Sequence, residues 1–426
     1  MNLVILFVFE LMLIWISYYI SGKDIMSPTC VLALVFALST IAALINISNW
    51  NIEFSGLTTI YLISGMLVFA MTECVMSRLI NHVKSLRKDY FEIENIYIND
   101  LLVFFAFFFE LLMIFLMYKD ICRITGTSGV QSLQIFRRYQ MAANNGLSTR
   151  LSTYVVLLNR FMRAISYISI FVYINNSICS KVSRRKVILL VIGGYILFGC
   201  YMNSSRGELI RLITYTIIVA YCCSMNKYDW KKNLSYKFMK RGTMILMMFV
   251  PLFYMLSNLI HRVSKDLTAF DYMCSYIGGG IQCFNLYVQK PVFSNGALET
   301  MSGMQSLLLR IGVINSAKST HMEFRWLTPT MHGNTYTFFR APLHDFGYSG
   351  MLIFTAIVSF LFSYLYYGCI KRKKCSIFTI ILYAYLFSWI SMSSINQMSI
   401  TFLSIGVWVE MVFAHIICRY FIRRNS

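Results

Sequence analysis

Long runs of apolar residues dominate this sequence. Roughly eleven of them reach the ~20 residues that a helix needs to cross ~30 Å of hydrocarbon. They lie at 2–20, 29–45, 57–76, 101–118, 151–174, 187–202, 209–224, 243–259, 350–367, 376–392 and 399–417. With 58% hydrophobic and only 13% charged residues, the chain has too few charges for a soluble globular protein, in which they make up about a quarter. We therefore predict an all-α polytopic membrane protein, with residues 1–426 forming a single integral membrane domain.

The basic residues indicate how the helices are oriented. A formal charge of +20 is typical of nucleic-acid-binding proteins, but here many of the basic residues cluster in short segments between the apolar runs. These clusters fall in alternate loops, at 78–88, 181–186, 227–241, 371–374 and 419–424. The positive-inside rule places them in the cytoplasm, so the opposite loops face outward. The longest outward loop is 261–348, between the eighth and ninth helices, and no nucleic-acid partner is expected.

Four arginines lie inside or at the outer ends of two predicted helices: Arg160, Arg163, Arg206 and Arg211. An arginine in hydrocarbon costs about 3 kcal/mol, so its presence needs a reason. One interpretation is that the Arg160 and Arg163 side chains extend to the membrane–water interface, or that their helix begins after these two residues. The other is an outward cationic cavity for an anionic substrate.

The segment before the seventh helix favours the second interpretation. Ser205 and Glu208 have the spacing of a capping box, which would start the helix at the outer face. The positive end of the helix dipole, next to Arg206 and Arg211, would suit a phosphate or pyrophosphate. A simple helix cap with flanking arginines remains the alternative.

The end of the outward loop is dense in polar and aromatic residues. His344 is followed by Asp345, and a histidine next to an acid can serve as a general base, a role also open to His332 or Asp345 itself. Asn334 and Arg340 could hold a charged or hydroxylated ligand. The alternative is a re-entrant turn whose polar groups only satisfy one another.

The sequence was also searched for paired catalytic carboxylates, metal ligands and disulfides. The outward acids, such as Glu299 and Glu323, are spread singly, so the paired carboxylates of glycosidases are not expected. No metal-ligand spacing appears, and neither a metal nor a cofactor is predicted. Cys274 and Cys283 could form a disulfide if the outside is oxidising.

Acidic residues also occur within the predicted spans. They are Glu10, Glu73, Glu110 and Glu410. A carboxylate facing lipid would be costly. We expect these side chains to pair with neighbouring helices, although a proton path would have the same pattern.

A family resemblance appears in the outward loop. The run Asn-Thr-Tyr-Thr at 334–337, followed by Asp-Phe-Gly at 345–347 and by Gly350, resembles the O-antigen and capsule repeat-unit polymerases of the Wzy type. The run Ser-Ser-Arg-Gly at 204–207 is similar to that family too, as are the chain length, the helix count and the single large outward loop. These short motifs cover about thirty residues, and the rest of the resemblance is architectural.

The resemblance implies a glycosyltransferase of the bacterial inner membrane with its active site facing the periplasm. Its substrates would be undecaprenyl-pyrophosphate-linked oligosaccharides, and the growing glycan would move to the non-reducing end of a new repeat unit. Membrane lipids, a chain-length regulator and a flippase of the same pathway are the implied partners. A lipid-linked oligosaccharide flippase and an O-antigen ligase remain alternatives, and a membrane O-acetyltransferase or an unrelated transporter is a more distant one.

Overall fold

The computed structural model describes residues 1–82, 94–142, 151–179, 188–196, 206–230, 240, 244, 268–292, 298–314, 323–329, 331–373, 375–420 and 422–424. These residues are mostly helical, at 76%. The described helices are α1 (Asn2–Ile20), α2 (Pro28–Ile45), α3 (Gly56–His82), α4 (Asp100–Thr125), α5 (Val130–Ala142), α6 (Thr153–Cys179), α7 (Ile188–Gly194), α8 (Arg206–Lys227), α9 (Ala269–Gln289), α10 (Gln305–Arg310), α11 (Arg340–Ser363), α12 (Ile377–Leu386), α13 (Ser388–Ser391), α14 (Ser399–Phe402) and α15 (Ile405–Tyr420). A 3-10 turn at Ser302–Met304 precedes α10, and a π-helical segment, Tyr364–Ile370, continues α11.

Seven of the described helices are long and apolar enough to cross a membrane. They are α1, α2, α3, α4, α6, α8, and α11 with its π-helical extension. Large apolar side chains on these helices are exposed, such as Trp15 on α1 and Phe105 on α4. Exposed apolar surface of this extent marks contact with lipid or with a partner rather than with water.

The remaining predicted spans differ in detail. The run 376–392 forms α12 and α13, and the run 399–417 is divided between α14 and α15 rather than forming one continuous helix. The run 187–202 is described only as far as 196, and nearly all of 243–259 lies outside the described residues. The count of eleven spans and the placement of the outward loop therefore stay predictions.

Local sequence explains where several helices begin and end. Pro28 lies in the first turn of α2, where its missing N–H leaves no hydrogen bond unmade. The Asn99 side chain caps α4 by accepting from the backbone N–H of Leu101, and α4 ends at Gly126 in the left-handed conformation. Thr268 caps α9 through the N–H of Asp271.

The chain divides into two compact units. Unit 1 comprises Met1–Asp89, Lys232–Lys374 and Leu386–Ser404, and unit 2 comprises Tyr90–Lys231, Cys375–Tyr385 and Ile405–Ser426. A single integral membrane domain over 1–426 stays our prediction.

Unit 1 is built around α2 and α3. α1 packs against both of them, α11 packs against α3, and α9 packs against α2. The Ser39 hydroxyl of α2 donates to the carbonyl of Ile277 on α9, at 2.6 Å. Small residues and hydroxyl groups at helix contacts are typical of membrane helix packing. A short antiparallel hairpin, β2 (Arg325–Trp326) and β3 (His332–Gly333), lies before α11.

Unit 2 is built around α6, which packs against α4, α7, α8 and α15. A second antiparallel pair, β1 (Ile96–Tyr97) with β4 (Arg423–Arg424), joins the start of this unit to the C-terminal residues. Asn176 on α6 secures β1 by bonding both the N–H and the carbonyl of Ile96.

Candidate functional site

Unit 2 contains a cluster of charged side chains on α6, α8 and α15, which we call the arginine cluster. Its members are Arg160, Arg163, Arg211, Glu208 and Glu410. Arg163 on α6 and Arg211 on α8 both place Nη1 3.5 Å from Oε2 of Glu208. Arg160, one turn before Arg163, pairs with Glu410 of α15 at 3.2 Å. The structure therefore brings together three of the four arginines that the sequence singled out.

Tyrosines complete the surroundings of Glu208. Its Oε1 accepts from the hydroxyl of Tyr195 at 2.6 Å and from that of Tyr167 at 3.1 Å. Arg211 donates to the hydroxyl of Tyr385 at 3.1 Å. Both carboxylate oxygens of Glu208 are thus engaged with side chains, as a buried charge requires.

Glu208 was expected to be the acidic member of a capping box. The contacts described for its carboxylate are instead with arginine and tyrosine side chains of unit 2. Ser205 lies outside the described residues, as does the side chain of Arg206, the first residue of α8. Sequence reasoning gave Glu208 a local role, whereas the partners that the structure describes for it come mainly from other helices.

The cluster contains three arginines and two glutamates, so basic side chains outnumber acidic ones. Arg160 is the most open member, with its side chain 25% exposed, compared with 12% for Arg163 and 9% for Arg211. Glu410 interacts electrostatically with all three arginines. The arrangement holds guanidinium groups in fixed positions and can bind an anion that reaches Arg160.

The other intramembrane acids are paired, as expected. Glu10 of α1 accepts from the Thr40 hydroxyl, Glu73 of α3 from Thr29 and Tyr367, and Glu110 of α4 from Ser166. Each of these bonds joins two helices. The prediction that these glutamates pair with neighbouring helices is confirmed.

Unit 1 contains a second group of charged residues, which we call the Arg340 cluster. Arg340, the first residue of α11, is only 1% exposed. Its Nη1 pairs with Glu299, and its Nη2 lies 2.5 Å from Oε2 of Glu323. The guanidinium also lies over the rings of Tyr287 and Tyr336, at 4.6 and 5.1 Å from their centroids.

The expectation that Glu299 and Glu323 stand singly was wrong. They are well separated in the sequence but meet on the same guanidinium group. Arg340 therefore has two acidic partners that sequence reasoning missed, because neither residue belongs to a local motif. Arg325 adds a further positive charge and pairs with Glu323 at 3.1 Å. Burial lowers the pKa of Arg325, but the hydrogen bonds that its guanidinium donates to Glu323 and Tyr336 outweigh this effect, so the pKa is raised overall.

His344 and Asp345 lie in the first turns of α11, which begins at Arg340 rather than near Gly350. The helix is kinked at Gly347, whose φ of 67° favours glycine. His344 Nδ1 is 3.1 Å from the Tyr287 hydroxyl, and its Nε2 is 3.9 Å from Glu299 Oε1. Burial raises the pKa of Tyr287, although Arg340 opposes the shift, so the hydroxyl keeps its proton.

Asp345 accepts hydrogen bonds from two backbone N–H groups. One carboxylate oxygen accepts from the N–H of Glu299 at 3.1 Å, and the other from the N–H of Thr300 at 2.7 Å. Asp345 thereby holds in place the turn that carries Glu299 to Arg340. This contact gives Asp345 a positioning role within the Arg340 cluster.

His332 and Asn334 lie apart from these hydrogen bonds, on or after the β2–β3 hairpin, and both are exposed. The His332 ring packs edge-on against Trp326, its partner across the hairpin, and against Phe324, with centroids 5.0 and 5.2 Å apart. Trp326 and Phe324 are themselves more than half exposed. The hairpin therefore presents an aromatic face bordered by polar groups.

The disulfide considered between Cys274 and Cys283 does not form. Both thiols are free, and both residues lie on α9, nine positions apart. That spacing corresponds to roughly 13.5 Å along a helix, too far for a disulfide.

Six of the sequence-predicted site residues thus fall into two groups, each within one unit. Arg160, Arg163 and Arg211 belong to unit 2, and Arg340, His344 and Asp345 to the Arg340 cluster of unit 1. Comparisons with protein-family models, with curated proteins and with solved structures find no match for this chain.

Proposed function

We propose that this protein polymerises lipid-linked oligosaccharide repeat units at the outer face of a bacterial inner membrane. The growing glycan leaves undecaprenyl pyrophosphate and is transferred to the non-reducing end of a new lipid-linked repeat unit, in O-antigen or capsule synthesis. The observation that carries the proposal is the arginine cluster, in which Arg163 and Arg211 share the Glu208 carboxylate inside membrane helices. The resemblance at 334–337, 345–347 and 204–207 supports it.

The reaction makes and breaks one bond to the anomeric carbon of the donor glycan. A hydroxyl oxygen of the acceptor sugar forms the new bond, and the pyrophosphate oxygen leaves with the electron pair of the old one. The hydroxyl proton passes to a base. The chain must therefore stabilise negative charge on the pyrophosphate and accept a proton.

The arginine cluster suits the first task. Guanidinium groups bind phosphate oxygens through paired hydrogen bonds, and those held by acids need little reorganisation when charge develops. Arg160 is the most open member, and we assign it the first contact with the pyrophosphate. Glu208 and Glu410 keep the arginines oriented and limit the cost of burying them.

Within unit 1, the Arg340 cluster contains a side chain able to accept a proton. This is His344, whose Nδ1–H is donated to the Tyr287 oxygen, so that Nε2 can accept the proton. Glu299, 3.9 Å from Nε2, would then stabilise the imidazolium that forms. The exposed rings of Trp326 and His332 offer flat surfaces against which sugar rings can stack, and Asn334 can hydrogen-bond to sugar hydroxyls.

Deletion of the gene in its source strain, followed by gel separation of the surface glycolipids, tests the proposal. A polymerase deletion should leave a lipid core carrying one repeat unit and remove the ladder of longer chains. Loss of the single-repeat band as well would overturn the proposal in favour of a flippase or a ligase.

Complementation of the deletion strain with point variants then tests whether polymerisation depends on the arginine cluster. Arg211→Ala should fail to restore the ladder while the protein remains in the membrane. Arg123→Ala is the matched control, because Arg123 is an exposed arginine of unit 2 that pairs with Asp120 outside the cluster. A full ladder from Arg211→Ala would remove this residue from the site.

A further inference from the structure

Unit 2 contains a cavity of about 380 Å³ between α4, α6, α7 and α15, which we call the apolar cavity. Its volume lies within the ~300–1,000 Å³ range of ligand sites in proteins. Fourteen of the described residues line it, and among these Ser169 is the single hydroxyl-bearing side chain. A lining of this kind offers almost no hydrogen bonds, so it suits a hydrocarbon chain rather than a polar ligand.

The cavity is open where the helices would face lipid. Phe105 and Leu102 of α4 line it and are 64% and 38% exposed. α4 and α6 are two of the helices able to cross a membrane, so the surroundings of this opening are hydrocarbon chains. A lipid chain can therefore enter from the side without passing through water.

Three of the lining residues lie close to basic residues in the sequence. Ile417 and Ile422 both line the cavity and flank Arg419 in the chain. Arg419 is exposed and lies over the ring of Tyr420, at 5.7 Å from its centroid. Among the described residues no carboxylate pairs with it. In the sequence, Ile188 of the lining follows the basic run at 181–186, and Ile422 precedes Arg423 and Arg424.

We propose that the apolar cavity binds one acyl chain of an anionic phospholipid whose headgroup phosphate contacts Arg419. Charge complementarity selects this occupant, because basic residues at the end of membrane helices attract anionic headgroups while the cavity accepts the chain. The site is independent of the arginine cluster and does not require the proposed polymerase activity.

Native mass spectrometry of the full-length chain, purified in detergent and incubated with phosphatidylglycerol or phosphatidylcholine, tests the proposal. The unmodified protein should retain one phosphatidylglycerol more strongly than phosphatidylcholine. Ala106→Phe fills the cavity from α4 and should abolish this retention. The matched control is Leu112→Phe, which places the same ring on α4 at an exposed position outside the lining.

Arg419→Gln tests the headgroup contact and leaves the cavity intact. One basic residue near an anionic headgroup contributes about 1 kcal/mol, so this variant should bind phosphatidylglycerol about fivefold more weakly and phosphatidylcholine equally well. Equal retention of the two lipids by the unmodified protein would overturn the proposal. So would undiminished retention by Ala106→Phe, or displacement of the phospholipid by an added polyprenyl phosphate.

Discussion

The Arg160 guanidinium lies directly against the backbone of α15 at Gly406. A Cβ added at Gly406 would come within 2.7 Å of Arg160 Nη2, closer than real Cβ contacts. Gly406 lies one turn before Glu410, the acid that pairs with Arg160. The absence of a side chain at 406 therefore leaves room for the ion pair, and Gly406 is a positioning residue for the arginine cluster.

Gly406→Ala should displace the end of the Arg160 side chain. Because that end is flexible, we expect little loss of stability but a clear loss of polymer length in complemented cells. The glycolipid gel and a thermal unfolding curve in detergent measure the two effects. Gly193→Ala is the control, since a Cβ at that position would meet no described atom within 4 Å outside its own helix turn. Polymer of normal length from Gly406→Ala would show that polymerisation does not depend on the position of the Arg160 side chain.

Glu208→Gln should destabilise unit 2. The amide can still accept a hydrogen bond from Tyr195, but it leaves Arg163 and Arg211 without the carboxylate that both contact. Removing one partner of a buried ion pair costs about 3–5 kcal/mol. A lower midpoint of thermal unfolding in detergent checks this, with Glu53→Gln as the control because Glu53 is exposed. Equal midpoints for the two variants would contradict the role given to Glu208.

Asp345→Ala should release the turn at Glu299. Its carboxylate accepts from two backbone N–H groups, and each hydrogen bond contributes roughly 0.5–1.5 kcal/mol. Hydrogen–deuterium exchange should show faster exchange at the amides of Glu299 and Thr300. His344→Ala should leave those two amides protected, since the described contacts of His344 are with side chains. If both variants lose protection equally, Asp345 has no separate positioning role.

Cys283 should resist thiol reagents at neutral pH. Its side chain is buried, and burial raises its pKa to about 12, so the reactive thiolate is scarce until the pH approaches that value. A protein retaining only Cys283 should show little maleimide labelling at pH 7–8 and much more after denaturation. Rapid labelling of the folded protein would contradict the packing around α9. A protein retaining only Cys274 and Cys283 should stay reduced under mild oxidant.

The sequence by itself determined the class of fold and most of the long helices. Apolar runs locate membrane helices because each run must satisfy its own backbone hydrogen bonds in hydrocarbon, which is a local requirement. α1 has the predicted bounds, and α2 begins one residue earlier than predicted. The same local reasoning singled out Arg160, Arg163 and Arg211. A charged residue within an apolar run can be recognised from the sequence even when its partner is unknown.

Only the tertiary structure decided which charges meet. Arg160 and Glu410 are 250 residues apart, and Glu299 and Glu323 reach Arg340 from separate segments of unit 1. No local pattern links such residues, because their pairing depends on how helices pack rather than on spacing along one helix. For the same reason Glu208 had been assigned to a cap by its spacing from Ser205, whereas its described contacts are with arginines and tyrosines on α6, α8 and the segment after α7.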